Sequence, residues 1–239
     1  MLPRFVGRLG VADAVTIANA ALGFVAVVVA FVDVHLAARL VLLAAVADGL
    51  DGILARRYGG TPAGPYLDSL ADVASFAIAP AVLAFVVVTD GLGGFETLTL
   101  EFLLVSVVCA TFVAMAVARL GMYTAYDTTT EYTEGVQTTL AATIIGAAIL
   151  AGVTEPWLVI GGTALFAYLM VSPIRYPDLL ARDALIMGVV HVLAIVIPDF
   201  AGRTFPYALL TLGLAYMLLA PWLYWANGSS IADAEYGNA

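Results

Sequence analysis

Lysine is absent from this chain of 239 residues, and its nine basic residues are all arginines. Histidine occurs twice, cysteine once, and only 11% of the residues are charged. Each scarcity excludes something. The single cysteine, Cys109, forms no internal disulfide, and its apolar neighbours mark it as a packed small hydrophobe. His35 and His191 each lack a second histidine at ligand spacing, which argues against a histidine metal centre. Against the nine arginines stand 18 acidic residues, giving a formal charge of −9. That sign is wrong for holding a phosphate backbone, so nucleic acid is excluded as a partner. An acidic, lysine-free composition is what keeps a protein soluble in high salt.

Apolar residues are in excess: 63% of the chain is hydrophobic and the mean hydropathy is +1.02. One soluble core of this size cannot hide so much apolar surface, so the helices must face lipid. The opening MLPRFVGRLG has no clean cleavage pattern, and the first apolar run reads as a retained span. Polar interruptions divide the chain into roughly eight apolar segments, at 14–32, 37–57, 66–89, 99–122, 136–153, 156–173, 184–198 and 205–225. Turn signals separate them at Asp33 to His35, Gly59 to Pro62, Asp90 to Gly94 and Thr154 to Pro156. The fold class expected is therefore all-α: a polytopic membrane helix bundle of about eight spans over residues 1–225. Residues 226–239 read as a polar C-terminal tail without structure.

Arginine placement supports an even span count. With a cytoplasmic N-terminus, Arg4, Arg8, Arg56, Arg57, Arg119, Arg175 and Arg182 fall on the inner side. Only Arg39 and Arg203 fall near outer ends. This asymmetry obeys the positive-inside rule and puts both termini in the cytoplasm.

The chemistry concentrates in AVADGLDGILARRYGG, which ends the second segment, and GPYLDSLADVASF, which opens the third. Each carboxylate at membrane depth costs about 2.5–3.5 kcal/mol, so Asp48, Asp51, Asp68 and Asp72 together require compensation. Asp48, Asp51, Gly52 and Ala55 follow the i, i+3, i+4, i+7 pattern of one helical face. Gly64, Asp68 and Asp72 recur every four residues on the next helix. A short connection makes these helices antiparallel neighbours, so the acidic faces can converge at the cytoplasmic end. Converging carboxylates repel one another unless cations intervene. Mg²⁺ and Mn²⁺ prefer such hard oxygen ligands, and a pair of them clamps a phosphoryl group in transfer. Gly49, Gly52, Ala55 and Gly64 let a large ligand reach the backbone, and Arg56 can grip a phosphate bidentately. Together they read as a site for a nucleoside diphosphate.

The run D48-G-L-D51-G52-I-L-A55-R56, then seven residues, then G64-P-Y-L-D68-S-L-A-D72 resembles the signature of the CDP-alcohol phosphatidyltransferase family at every fixed position. The resemblance implies transfer of a lipid phosphate from a CDP-activated lipid to a small alcohol, at the cytoplasmic face of the cell membrane, by a homodimer. It implies that Asp48, Asp51, Asp68 and Asp72 hold two divalent ions, Mg²⁺ or Mn²⁺, and that Asp72 is also the general base. By the same resemblance Gly52, Ala55, Arg56 and Gly64 line the CDP site.

LDSLADVASFAIAPA, with TIANAALGF, YTEG and SPIRYP, resembles the phosphatidylserine synthase branch, which implies L-serine as acceptor. With a high-salt archaeal source, the donor expected is CDP-archaeol and the product archaetidylserine. Serine's carboxylate needs a cation, for which Arg119 and Arg175 at inner helix ends are candidates. Glu134 can face its ammonium, and Asn19 can hydrogen-bond the nucleotide. Each has a plainer reading: topological anchoring for the arginines, a solvated loop charge for Glu134, an interhelical bond for Asn19. Two alternatives stand beside serine transfer. One is the same chemistry with glycerol 3-phosphate or an inositol phosphate as acceptor; the other is a transporter using its carboxylates for Na⁺ or protons.

Overall fold

Apolar segments of this length fold as helices because lipid leaves no partner for a backbone N–H or C=O except within the segment itself. The computed structural model describes residues 6–94, 98–127, 132–177 and 181–236. Its helices are α1 (Val11–Ala30), α2 (Val34–Tyr58), α3 (Gly64–Asp72), α4 (Ala79–Gly91), α5 (Leu100–Met122), α6 (Thr138–Ala151), α7 (Pro156–Met170), α8 (Ala181–Val196) and α9 (Thr204–Tyr236). A π-helical segment, Val73–Ile78, joins α3 to α4 without a break, and a second, Tyr123–Asp127, extends α5. Chain direction alternates along the bundle. The end of α2, the start of α3 and the start of α6 therefore share one end with the start of α1.

Local chemistry sets the boundaries. Asp33 caps α2 by accepting from the N–H groups of His35 and Leu36 at 2.9 and 3.0 Å. Thr99 caps α5 through Phe102, and Glu155 caps α7 through Leu158, just ahead of Pro156. Gly152 ends α6 in the left-handed region, φ 93°, where a side chain would be strained.

Four helical stretches among the described residues are long and apolar enough to cross a membrane: Val11–Ala30, Gly64–Gly91, Leu100–Tyr126 and Thr204–Trp222. With them the chain is a multi-pass membrane protein. The eight expected segments reappear as helices, and these four have the length and apolarity to cross a membrane. α6, α7 and the Leu185–Val196 part of α8 are shorter apolar helices. α2 is long, but carries Arg39, Asp48, Asp51, Arg56 and Arg57. α6 is buried nearly all round and forms the centre of the bundle, which accounts for an apolar helix of only 14 residues.

Two features add to the helical architecture. The bundle is not purely helical: β1 (Tyr132–Glu134) pairs antiparallel with β2 (Arg175–Pro177), setting Thr133 opposite Tyr176 and Glu134 opposite Arg175. This small ribbon ties the segment after α5 to the one after α7. It is anchored by the buried Tyr176, whose hydroxyl donates to the Met217 carbonyl at 3.2 Å. The chain past Trp225 is helical too, since α9 runs to Tyr236. Its Ala-rich stretch IADAEY favours helix.

The packing that matters for the site is between α1 and the π-helical segment. Pro80 cannot donate to the carbonyl four residues back, and the chain widens into the π form immediately before it. Against this widened turn α1 presents Gly23. A Cβ there would lie 2.7 Å from the Ala74 carbonyl carbon and 2.8 Å from Ser75 Cα. Ser75, fully buried, donates to the Asn19 carbonyl at 2.8 Å. The two backbones are thus in near contact, one turn beyond Asp72.

Gly23→Ala is expected to destabilise the protein by about 1–3 kcal/mol through overpacking, despite Ala's better helix propensity. Gly161→Ala, where nothing lies within 4 Å, is expected to leave stability equal or higher. Thermal unfolding of both variants in detergent checks this; equal melting temperatures would contradict the close approach.

Candidate functional site

Asp48 and Asp51 stand on the last turns of α2, Asp68 and Asp72 on α3. Carboxylate oxygens of Asp48, Asp68 and Asp72 all lie within 4.8 Å of one another. The i, i+4 spacing puts Asp68 and Asp72 on one face of α3, and the hairpin through Gly59 to Ala63 folds that face onto α2. Asp48 also reaches Thr139 of α6 and Asp72 at hydrogen-bonding range. Asp72 is 7% exposed, and its Oδ1 is buried with no hydrogen-bond partner.

Asp51 does not join this trio. It is buried, and its Oδ2 accepts a 2.5 Å hydrogen bond from the Thr16 hydroxyl of α1. The shared helical face read from the sequence is real, but one turn carries Asp51 toward α1 while Asp48 points toward α3 and α6.

A carboxylate trio with an orphaned buried oxygen has either protons or a cation in its middle. The donor set is hard oxygen only, which fits Mg²⁺ or Mn²⁺ and does not suit a soft metal. Asp48, Asp68 and Asp72 can hold such an ion.

Open space lies beside Asp48. A cavity of about 890 Å³ opens between α2, α6, α8 and α9, and Asp48, Gly49 and Arg56 line it beside Thr139, Thr143 and His191. Nothing lies within 4 Å of a Cβ placed on Gly49. The Arg56 guanidinium folds back over Gly52, its Nη1 3.6 Å from where a Cβ would be. Ala55 is half-buried on the same helix.

A sequence model of the CDP-alcohol phosphatidyltransferase family matches residues 9–174, more than half of the chain. The chain belongs to that family. It is accordingly a transferase that moves a phosphatidyl group from a CDP-alcohol to an acceptor, and the transport reading falls away. No curated protein matches it closely enough to serve as a relative.

The remaining expected residues of this phosphatidyltransferase fall into three settings. Asn19 is fully buried on α1, and neither Oδ1 nor Nδ2 has a partner. The interhelical bond offered as its plainer reading is made by its backbone carbonyl, not by its amide. A buried amide left open is costly unless water or a ligand completes it. Arg119 is buried, donates from Nη2 to Thr133 of β1 at 3.1 Å, and stands close enough to Asp72 for the opposite charges to interact. Glu134 and Arg175 pair with each other at 3.2 Å on the ribbon, both about half exposed. Gly64 opens α3 beside Asp13, whose Oδ1 lies 3.6 Å from a Cβ built there.

Sequence reasoning missed Asp13 and Thr16. Asp13 is 2% exposed and accepts from the Gly10 N–H and the Thr61 hydroxyl, both at 2.8 Å, stapling α1 to the α2–α3 hairpin. The signal was available, because Asp13, Thr16 and Asn19 form an i, i+3, i+6 polar stripe on an apolar helix. Thr139 had no such signal; only the packing of α6 on α2 brings it to Asp48.

The protein is expected to quench the electron paramagnetic resonance signal of free Mn²⁺. Asp68→Asn is expected to weaken that binding by roughly tenfold or more, while Glu134→Gln leaves it unchanged. Equal Mn²⁺ affinity in Asp68→Asn and the unsubstituted protein would contradict a metal-holding trio.

Proposed function

We propose that this phosphatidyltransferase uses a CDP-activated lipid, CDP-archaeol, as donor and L-serine as acceptor, forming archaetidylserine and CMP. The observation that carries serine is the charge pattern beside Asp72. Arg119 offers a buried cation for a carboxylate. The Glu134–Arg175 pair, 3.2 Å across, is the complement of a zwitterion and can exchange its mutual contact for two substrate contacts. Acceptors bearing an additional phosphate call for more cations than the described residues gather here.

The apolar cavity along α2 and α8 suits the hydrocarbon chains of the donor, with Arg56 at its rim for the diphosphate. Gly52, Ala55 and Gly64 keep the helix surfaces low beneath the cytidine, and the open amide of Asn19 supplies a donor and an acceptor to it. Asp48, Asp68 and Asp72 would hold one ion of the expected pair. The second draws on Asp51, whose carboxylate Thr16 orients. When bound, Mg²⁺ or Mn²⁺ polarises the diphosphate and neutralises charge on the departing nucleotide.

Asp72 then acts as general base. Its carboxylate takes the proton of the serine hydroxyl, the oxygen bonds to the lipid-side phosphorus, and the bond to the CMP oxygen breaks with its electron pair leaving on CMP. Burial of Asp72 and Arg119 keeps water from competing with serine. The arginine asymmetry supports a site on the cytoplasmic face of the cell membrane, with both termini on that side. The family likeness supports a homodimer.

In detergent, CMP release from CDP-lipid is expected to require Mn²⁺ or Mg²⁺ and serine, with radiolabelled serine appearing in lipid. Asp72→Asn is expected to lower turnover by about 10²–10⁴-fold while CDP-lipid still binds. Transfer to glycerol 3-phosphate or inositol phosphate in place of serine would overturn the acceptor assignment, and undiminished turnover in Asp72→Asn would overturn the base.

A further inference from the structure

Between the two acids of α3 lies Ser69, whose hydroxyl contacts that of Thr124 on the π-helical extension of α5. The direction of this bond follows from its neighbour. Thr124 Oγ1 lies 2.8 Å from the Leu120 carbonyl, which can only accept, so the one Thr124 proton is spent there. The arrangement that satisfies both contacts has Ser69 donating to Thr124. With its proton held, Ser69 Oγ has only lone pairs to offer a ligand.

That polarity decides which group can meet it. Ser69 cannot donate to a carboxylate or a phosphate; it can accept from an ammonium. Its position matches the need. Ser69 and Asp72 are three residues apart on α3, so their side chains are neighbours, about 5–6 Å apart at Cβ. Arg119 precedes Thr124 by five residues on the same continuous helix. In serine the hydroxyl and the ammonium sit on adjacent carbons. An alcohol held with its hydroxyl at Asp72 and its carboxylate at Arg119 can place its ammonium at the α3–α5 seam. Ser69 supplies this ammonium with an acceptor in addition to Glu134, which pairs with Arg175 on the exposed ribbon.

We propose that Ser69, oriented by Thr124, is an acceptor-specificity residue that reads the ammonium group of an amino-alcohol substrate. This rests on the serine assignment and adds to it the group that separates serine from a plain hydroxy acid. Thr124 is a positioning residue: it fixes the direction of the Ser69 proton without touching substrate. The seam also explains why a hydroxyl pair stands there in place of apolar contact. A hydroxyl whose proton is engaged presents fixed negative density without adding another full charge beside three carboxylates.

The test matches a deletion in the protein with a deletion in the substrate. L-serine and 3-hydroxypropionate, which lacks the ammonium, are compared as acceptors with the full-length protein in detergent. The unsubstituted chain is expected to favour serine. Ser69→Ala is expected to raise the KM for serine roughly tenfold and to move that for 3-hydroxypropionate by no more than about twofold, with Mn²⁺ affinity and donor KM retained. Thr124→Val, which frees the Ser69 proton, is expected to erode the same preference, and Thr124→Ser to restore it. These two variants carry the test if Ser69→Ala does not fold. Equal losses toward both acceptors, or an intact preference for serine in Ser69→Ala and Thr124→Val, would overturn the proposal. Failure of the unsubstituted chain to use serine at all is a different result, and overturns the acceptor assignment along with it.

Discussion

Three carboxylates drawn together inside an apolar bundle are the constraint on which the rest of this structure depends. At membrane depth each costs about 2.5–3.5 kcal/mol, and their mutual repulsion adds to that when all are ionised. Such a group persists only if the packing of the helices forces it and a cation or proton relieves it. Here the packing does force it. The α2–α3 hairpin brings Asp48 to Asp68 and Asp72, and Thr139 of the central helix α6 reaches Asp48 from the third side. The donor set is all oxygen, and one oxygen of Asp72 is left buried and open. Membership of the CDP-alcohol phosphatidyltransferase family gives the reaction, transfer of a phosphatidyl group from a CDP-alcohol, and the proposed role of the trio is to hold the ion that faces the diphosphate.

Much of the remaining architecture holds that hairpin in place. Asp13 ties α1 to Thr61 in the α2–α3 connection, and Thr16 turns Asp51 toward α1. Gly23 lets the α1 backbone settle on the widened turn ahead of Pro80, directly after Asp72. A π-helical turn shifts the phase of the residues beyond it, so α3 can aim two acids at α2 while α4 packs differently in the core. The ribbon of β1 and β2 does comparable work beside α5, fixing Thr133 beneath Arg119 and Glu134 against Arg175.

The helices and the motif were legible in the sequence because both are local. Asp33 and Pro156 announced their boundaries through capping and backbone chemistry, and the aspartate spacing put the acids on adjoining helix faces. What could not be read was orientation. Asp48 and Asp51 share a face, yet Asp51 bonds to Thr16 on α1 and stands outside the close trio. Glu134 and Arg175 lie 41 residues apart, and their pairing depends on the register of two three-residue strands that no periodicity marks. The count of lipid-crossing helices was also beyond hydropathy alone. An apolar helix such as α6 looks the same in sequence whether lipid or protein surrounds it.

The most direct measurement of the central claim is a structure of the protein with Mn²⁺, phased to reveal anomalous scattering. The account predicts a peak between Asp48, Asp68 and Asp72, at oxygen-coordination distances of about 2.0–2.3 Å, with the open Oδ1 of Asp72 among the ligands. A peak elsewhere, or three carboxylates turned apart with no ion between them, would contradict it.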